Sequence, residues 1–157
     1  KTKYNYLIPC NLYGEYDHFD DPEKCHFITA LIRKIIDGEN NGEDSIELFG
    51  TGKPLRQFMY GGDLARVIKH MLDNDIVGNF NVAPEWVHSI NDLAEIGKKA
   101  CLKDKLVVNY DNTKPDGQFR KDVDSSKLLS VLDDFKFTPL GKGIKKVYDN
   151  FSKRHNR

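Results

Sequence analysis

Between Leu7 and Arg33 the chain leaves a short apolar run, turns at a proline, crosses a polar loop and enters a helix-period stripe with a histidine at its mouth. No other segment constrains the fold as much. From 27 to 37 the residues Ile28, Leu31, Ile32, Ile35 and Ile36 recur at the 3.6-residue spacing of a helix that buries one face. Pro9 fixes φ and removes a donor, so the chain should turn where the run Leu7-Ile8 ends. In open α/β sheets ligands bind beyond the carboxyl ends of strands. The turn Pro9-Cys10-Asn11-Leu12-Tyr13-Gly14 is therefore the first candidate site.

The alternation continues down the chain. A helix is predicted over 63–73, with Leu64, Val67, Ile68, Met71 and Leu72 on its stripe and Asp63 able to cap it. Another is predicted over 89–101. It opens on Ser89-Ile90-Asn91-Asp92, a capping box with Asp in place of Glu, and turns Leu93, Ala94, Ile96 and Ala100 inward. Asp124 can cap a short helix carrying Leu128, Leu129 and Leu132. The last helix, over 142–153, presents Ile144, Val147, Tyr148 and Phe151. Strand candidates lie at 4–8, 46–49, 57–60, 79–82 and 106–110. Residues 39–44 read as a polar turn and 111–118 as a loop. Strands alternating with helices indicate an α/β chain, and 157 residues fit one unit with a real core.

With 24 basic and 24 acidic residues the net charge is zero, which argues against a chain-wide basic surface for nucleic acid. The local pairs Lys98-Lys99, Lys145-Lys146 and Lys153-Arg154 read as solvated helix faces. No run approaches the length of a membrane span. Cys10, Cys25 and Cys101 fit neither a zinc pattern nor Cys-x-x-Cys, so no metal site is expected and the thiols read as reduced. The chain opens at Lys1, without Met, on a strand that needs neighbours. It carries no G-x-G-x-x-G fingerprint. The expectation is a piece of a longer protein.

Several residues could carry chemistry. Asn11 offers a donor and an acceptor just past a strand end, though a self-capping strand exit accounts for it equally. His26 lies off the apolar stripe, and imidazole ordinarily titrates near neutral pH, which suits proton transfer. The other histidines (His18, His70, His88 and His155) fit surface or packing roles. Phe49-Gly50-Thr51-Gly52-Lys53-Pro54-Leu55-Arg56 is a strand, a tight glycine turn and an Arg suited to phosphate or ribose. Lys114-Pro115-Asp116-Gly117 is a turn followed by Arg120 and Lys121.

Taken in order, the Pro-x-Asn-x-Tyr-Gly turn, His26, the Gly-Thr-Gly-Lys-Pro-Leu-Arg segment and Lys-Pro-Asp-Gly-x-x-Arg-Lys resemble the C-terminal half of the GDP-L-fucose synthase family. That family belongs to the extended short-chain dehydrogenases. The resemblance runs from about Tyr4 to about Phe151. It implies the C-terminal part of a Rossmann-type fold: the last Rossmann strands plus a smaller mixed α/β substrate-binding domain, as one unit over 1–157. The dinucleotide-binding half and the family's Tyr-x-x-x-Lys catalytic helix would lie outside this chain. The resemblance further implies NADP(H), with Pro9, Cys10, Asn11, Leu12 and His26 along its nicotinamide end. His26 would be the catalytic acid of epimerisation. A GDP-sugar would be held by Lys34, Phe49, Arg56, Asp116 and Lys121, with Phe49 stacking on guanine.

The expected parent is a cytoplasmic, homodimeric enzyme that converts GDP-4-keto-6-deoxy-D-mannose to GDP-L-fucose. This chain alone is expected to be inactive and monomeric, with no nucleic-acid or membrane partner. Two departures stand out. The loop before His26 is one residue longer than the family's, and Gly62 replaces an acidic residue ahead of Asp63. Another nucleotide-sugar epimerase, dehydratase or reductase, or a non-catalytic nucleotide-sugar-binding module, remains open.

Overall fold

The computed structural model describes residues 4–20 and 25–155, the side chain of His155 excepted. The long part of the loop before His26 therefore lies outside the described residues. In chain order the elements are β1 (Tyr6–Pro9), β2 (Asn11–Tyr13), α1 (Phe27–Asn41), β3 (Ser45–Phe49), β4 (Leu55–Arg56), β5 (Phe58–Tyr60) and α2 (Gly61–Asp73). There follow β6 (Asn79–Val82), β7 (His88–Ser89), α3 (Ile90–Ala100), β8 (Val107–Asp111), β9 (Arg120–Lys121), α4 (Ser126–Leu129) and α5 (Leu140–His155).

Three parallel ladders, β1–β6, β2–β5 and β3–β8, carry the frame. A small sheet of order β7-β4-β9 closes one side. Side chains alternate across a strand, and β5 uses that alternation to serve two cores. Phe58 joins the core of α1, α3 and α5, built on Ile28, Leu31, Ile32, Leu93, Ile144 and Val147. Its neighbour Met59 joins the core of Val67, Met71, Phe80, Val82 and Leu128. Ile32 is fully buried, and truncating such a residue to Ala costs about 2–5 kcal/mol.

The capping box of α3 forms as expected. Ser89 Oγ accepts from the Asp92 N–H at 3.0 Å, and the Asp92 carboxylate accepts from the Ser89 N–H at 3.1 Å. Four expectations need correction. Residues 39–41 continue α1 rather than turning, because Gly42, at φ 69°, closes the helix with bonds back to Glu39 and Gly38. Asp63 does not cap α2 from outside. It lies in the first helical turn, buried, and accepts from the Thr138 N–H at 2.6 Å, the Thr138 hydroxyl at 2.8 Å and Arg66 at 2.7 Å. Of the apolar stripe of α2, Val67 and Met71 are buried and Leu64 packs against the same core, while Ile68 and Leu72 face outward because each follows a buried residue by one position, about 100° around the helix. Lys98 is buried and paired with Glu95 rather than solvated.

α4 ends before Leu132, and Asp124 serves it by accepting from the Ser126 N–H at 2.8 Å. On β1 the residues Tyr6 and Ile8 are exposed. Parallel sheets are ordinarily covered on both faces, so this bare face is unusual. Among the described residues no helix is long and apolar enough to cross a membrane.

Candidate functional site

At Cys10 the chain passes from one ladder to the next. The expected turn is a single residue, and Asn11 already pairs with Phe58 in β2–β5. The reason lies in the Asn11 side chain. It does not cap itself but donates to the Gln57 carbonyl at 2.9 Å, pinning β2 to the strand it joins. Gln57 is buried and satisfied at both ends. Its amide nitrogen donates to the Pro84 carbonyl at 2.7 Å, and its oxygen accepts from the Val123 N–H at 3.0 Å. Burial pushes the Cys10 thiol up to about 12, so it stands in the wall as a neutral group.

His26 is the N-cap residue of α1 and makes no side-chain cap bond. Its ring is exposed, with Nδ1 3.4 Å from Asp17 Oδ1. Asp17 is the residue the sequence reading missed. Its other oxygen takes the hydroxyl of Thr29, a buried polar residue on the core face of α1. Its Oδ1 also accepts from the His18 N–H at 2.8 Å. Burial works to raise the Asp17 carboxyl, but Thr29, His18 and His26 together hold it below the usual range. A carboxylate in the loop ahead of a helix-opening His was the available signal.

Three concavities border this point, one of them, of about 450 Å³, lined by Asp17, His26 and Tyr60. A groove of about 480 Å³ is lined by Pro9, Cys10, Asn11, Leu12, His26, Lys121 and their neighbours, so five residues named for the nicotinamide end and one named for the substrate share one wall. A cleft of about 660 Å³ gathers Lys34, Phe49, Arg56 and Asp116, with Phe27, Ala30 and Arg33 supplied by the outward face of α1. Lys121 is thus separated from the other four substrate candidates and stands on the His26 side.

Within the cleft Phe49 is 63% exposed. Its ring lies under two ammonium groups, Lys34 Nζ at 5.4 Å and Lys114 Nζ at 5.8 Å from the centroid. Lys34 also donates to the Glu47 carbonyl at 2.7 Å, which aims it at the rim. Arg56 donates one N–H to the Leu55 carbonyl at 2.8 Å, and a guanidinium has four more to offer. Asp116 holds the glycine turn through Thr51. Arg120 is clamped by both oxygens of Asp122 at 2.9 Å, whereas Lys121 makes no ion pair among the described residues. Of this adjacent pair, Lys121 is therefore the cation open to an anion. The spacing Tyr-x-x-x-Lys occurs once, at Tyr110 and Lys114, but at the end of β8 rather than on a helix. There the Tyr110 hydroxyl donates to Asn91 at 3.0 Å.

Gly61 and Gly62 form the first turn of α2, and a Cβ at Gly62 would meet the Tyr60 ring at 2.5 Å. The departure at Gly62 thus accommodates Tyr60, whose hydroxyl donates to Glu15 at 2.7 Å. No disulfide joins Cys10, Cys25 and Cys101 among the described residues, and the Cys25 thiol donates to the His18 carbonyl at 2.7 Å.

The fold is the α/β architecture of Rossmann-type extended short-chain epimerases and reductases. The profile of the NAD dependent epimerase/dehydratase family matches residues 1–83. GDP-L-colitose synthase of Yersinia pseudotuberculosis is 35% identical over 156 residues, 98% of this chain and 50% of its own length. GDP-L-fucose synthase 1 of Arabidopsis thaliana is 37% identical over 151 residues, 93% of this chain and 45% of its own. The crystal structure of a GDP-L-fucose synthetase from Naegleria fowleri bound to NADP superposes with a TM-score of 0.83 at 29% identity, covering 96% of this chain and 47% of that one. The chain belongs to the NAD dependent epimerase/dehydratase family. It spans about half the length of the curated relatives it matches.

Proposed function

We propose that this chain is the substrate-binding half of an NADP-dependent nucleotide-sugar epimerase-reductase that converts GDP-4-keto-6-deoxy-D-mannose to GDP-L-fucose. The observation that carries the reading is the position of His26. It stands at the head of α1 on the groove lined by Pro9–Leu12, while the outward face of the same helix lines the cleft with Phe49, Lys34 and Arg56. One helix thus links a group able to move a proton with a rim able to hold a nucleotide diphosphate. The names of the relatives, two GDP-sugar enzymes among them, support guanine as the base.

The groove suits the nicotinamide end of NADP. Its lining includes Ile8, Pro9, Leu12 and Val123, with a neutral thiol at Cys10. When bound, that cofactor supplies the hydride for reduction of the ketone. The chain's own residues would do the rest. Phe49 stacks on the base, and Lys34 and Arg56 neutralise the diphosphate. His26 moves protons at the carbons beside the ketone, whose C–H bonds the ketone acidifies. Lys121 supplies positive charge on the same wall. The bare β1 face, with Tyr6 and Ile8, supports a parent in which a dinucleotide-binding half covers this sheet.

The test is His26→Asn in the intact parent. Asn keeps much of the size and polarity but carries no proton. Epimerisation, read as solvent deuterium entering the substrate, should fall ~10²–10⁴-fold while nucleotide-sugar affinity changes little. Exchange and turnover near wild type would remove the acid–base role.

A further inference from the structure

We propose that Asp17 is a positioning residue for His26: with its carboxylate anchored by Thr29, it holds the imidazole with the proton on Nδ1 and leaves Nε2 as the working nitrogen. The inference rests on the reading of His26 as the proton-transfer group.

The geometry has three parts. First, the Asp17 side chain is 12% exposed whereas that of His26 is 61% exposed, so the carboxylate belongs to the protein and the ring to the groove. Second, the carboxylate cannot swing freely. Thr29 takes Oδ2 from inside the core face of α1, and the His18 N–H takes Oδ1 at 2.8 Å. Third, the remaining acceptor direction on Oδ1 meets His26 Nδ1 at 3.4 Å. That separation is long, as apo catalytic contacts often are. A carboxylate is acceptor-only, so it selects the tautomer with N–H at Nδ1. Nε2 lies across the ring and stays free to accept or return a proton. The same carboxylate stabilises the imidazolium whenever the ring carries two protons.

Among the described residues His26 has no other side-chain bond. As the N-cap residue it makes no side-chain bond to the helix it opens. Without Asp17 an exposed imidazole would sample rotamers and both tautomers. Thr29 explains why the carboxylate stays put. A hydroxyl fully buried on a stripe of isoleucines and leucine would otherwise be a cost to the core, and Asp17 is its partner.

The test reads the ring itself, so it does not depend on turnover. In the ¹⁵N-labelled chain at about pH 8.5, above the ordinary imidazole range, the ring-nitrogen shifts of His26 should report the Nδ1–H tautomer. The resonance is assigned by its loss in His26→Asn. Asp17→Ala removes the acceptor from Nδ1 and should leave a mixture of tautomers, whereas Asp17→Asn, whose oxygen must stay toward the His18 N–H, should keep the Nδ1–H tautomer and lose only the charge. Thr29→Val should leave a mixture of tautomers, and Thr29→Ser should restore the wild-type spectrum. An Nε2–H ring in the wild type, or identical spectra for Thr29→Val and Thr29→Ser, overturns the proposal even if Asp17→Ala fails to fold. In the intact parent, Asp17→Asn should lower kcat on the order of tenfold, a fraction of a full acid–base contribution, with KM little changed. A tautomer mixture in Asp17→Ala with unchanged kcat would instead overturn the acid–base role of His26.

Discussion

Asp116 takes both donors of Thr51, the backbone N–H at 2.6 Å and the hydroxyl at 2.7 Å, across 65 residues of sequence. These bonds hold a turn whose glycines need positive φ, 82° at Gly50 and 74° at Gly52. The Thr51 N–H and hydroxyl, helped by Lys53 and Arg56, hold the Asp116 carboxyl below its usual range. A depressed folded-state pKa means the interaction is fully present above the unfolded value, about 3.9, and is lost as pH falls through the folded one. The Thr51 amide proton should therefore titrate with a midpoint below that of a free aspartate. An amide shift that moves at or above the free value would contradict the pairing.

Phe49 should carry much of the nucleotide affinity. Truncating an aromatic under a base typically costs about 1–3 kcal/mol, so Phe49→Ala should weaken GDP binding on the order of tenfold and Phe49→Trp should preserve it. GDP should bind more tightly than UDP or ADP. Calorimetric titration of the intact parent measures all of these, and equal affinity for the three nucleotides would remove the guanine assignment.

Gly97→Ala should destabilise the chain. Helix propensity alone favours Ala by about 1 kcal/mol. The new Cβ would stand 2.6 Å from the end of Leu31, which is fully buried and cannot step aside. Overpacking of that kind costs about 1–3 kcal/mol. A urea midpoint equal to or above wild type would mean that the α1–α3 contact is looser than described.

Alkaline pH should weaken the fold before it reaches the lysine range. Burial pushes Tyr60 and Tyr148 from 10.0 to about 12, and Cys10 and Cys101 from 9.0 to about 12; Tyr13 is raised further. Each group keeps its proton in the folded state at a pH where the unfolded chain has lost it. Stability is therefore intact below about pH 9 and falls as the pH climbs toward 12. Urea midpoints at stepped pH would follow this, and a flat profile up to about pH 11 would refute it.

Long amphipathic periods were easy to read. The stripe of α1, the Ser89–Asp92 box and β6 stand where periodicity and capping chemistry placed them. Of the two- and three-residue strands only β5 was legible, within the expected 57–60, because β2, β4, β7 and β9 are too short to carry a period of two. Their existence depends on distant partners, such as the Asn11 amide finding Gln57. Asp63 looked like a local cap because sequence cannot reveal that Thr138 arrives beside it. Of the named substrate candidates, four share one cleft. Lys121 falls on the other wall, since β9 pairs with β4 in parallel and carries it there. Asp17 escaped notice for the same reason as Thr138: its partners lie on another element.

Gln57 presents a donor to Pro84 and an acceptor to Val123, and its carbonyl receives Asn11. Its position therefore tests side chains for polarity in both directions at once. Glu would set a carboxylate against a carbonyl, and Leu would orphan the Val123 amide. In lineages descended from this chain, position 57 has almost no neutral path away from Gln.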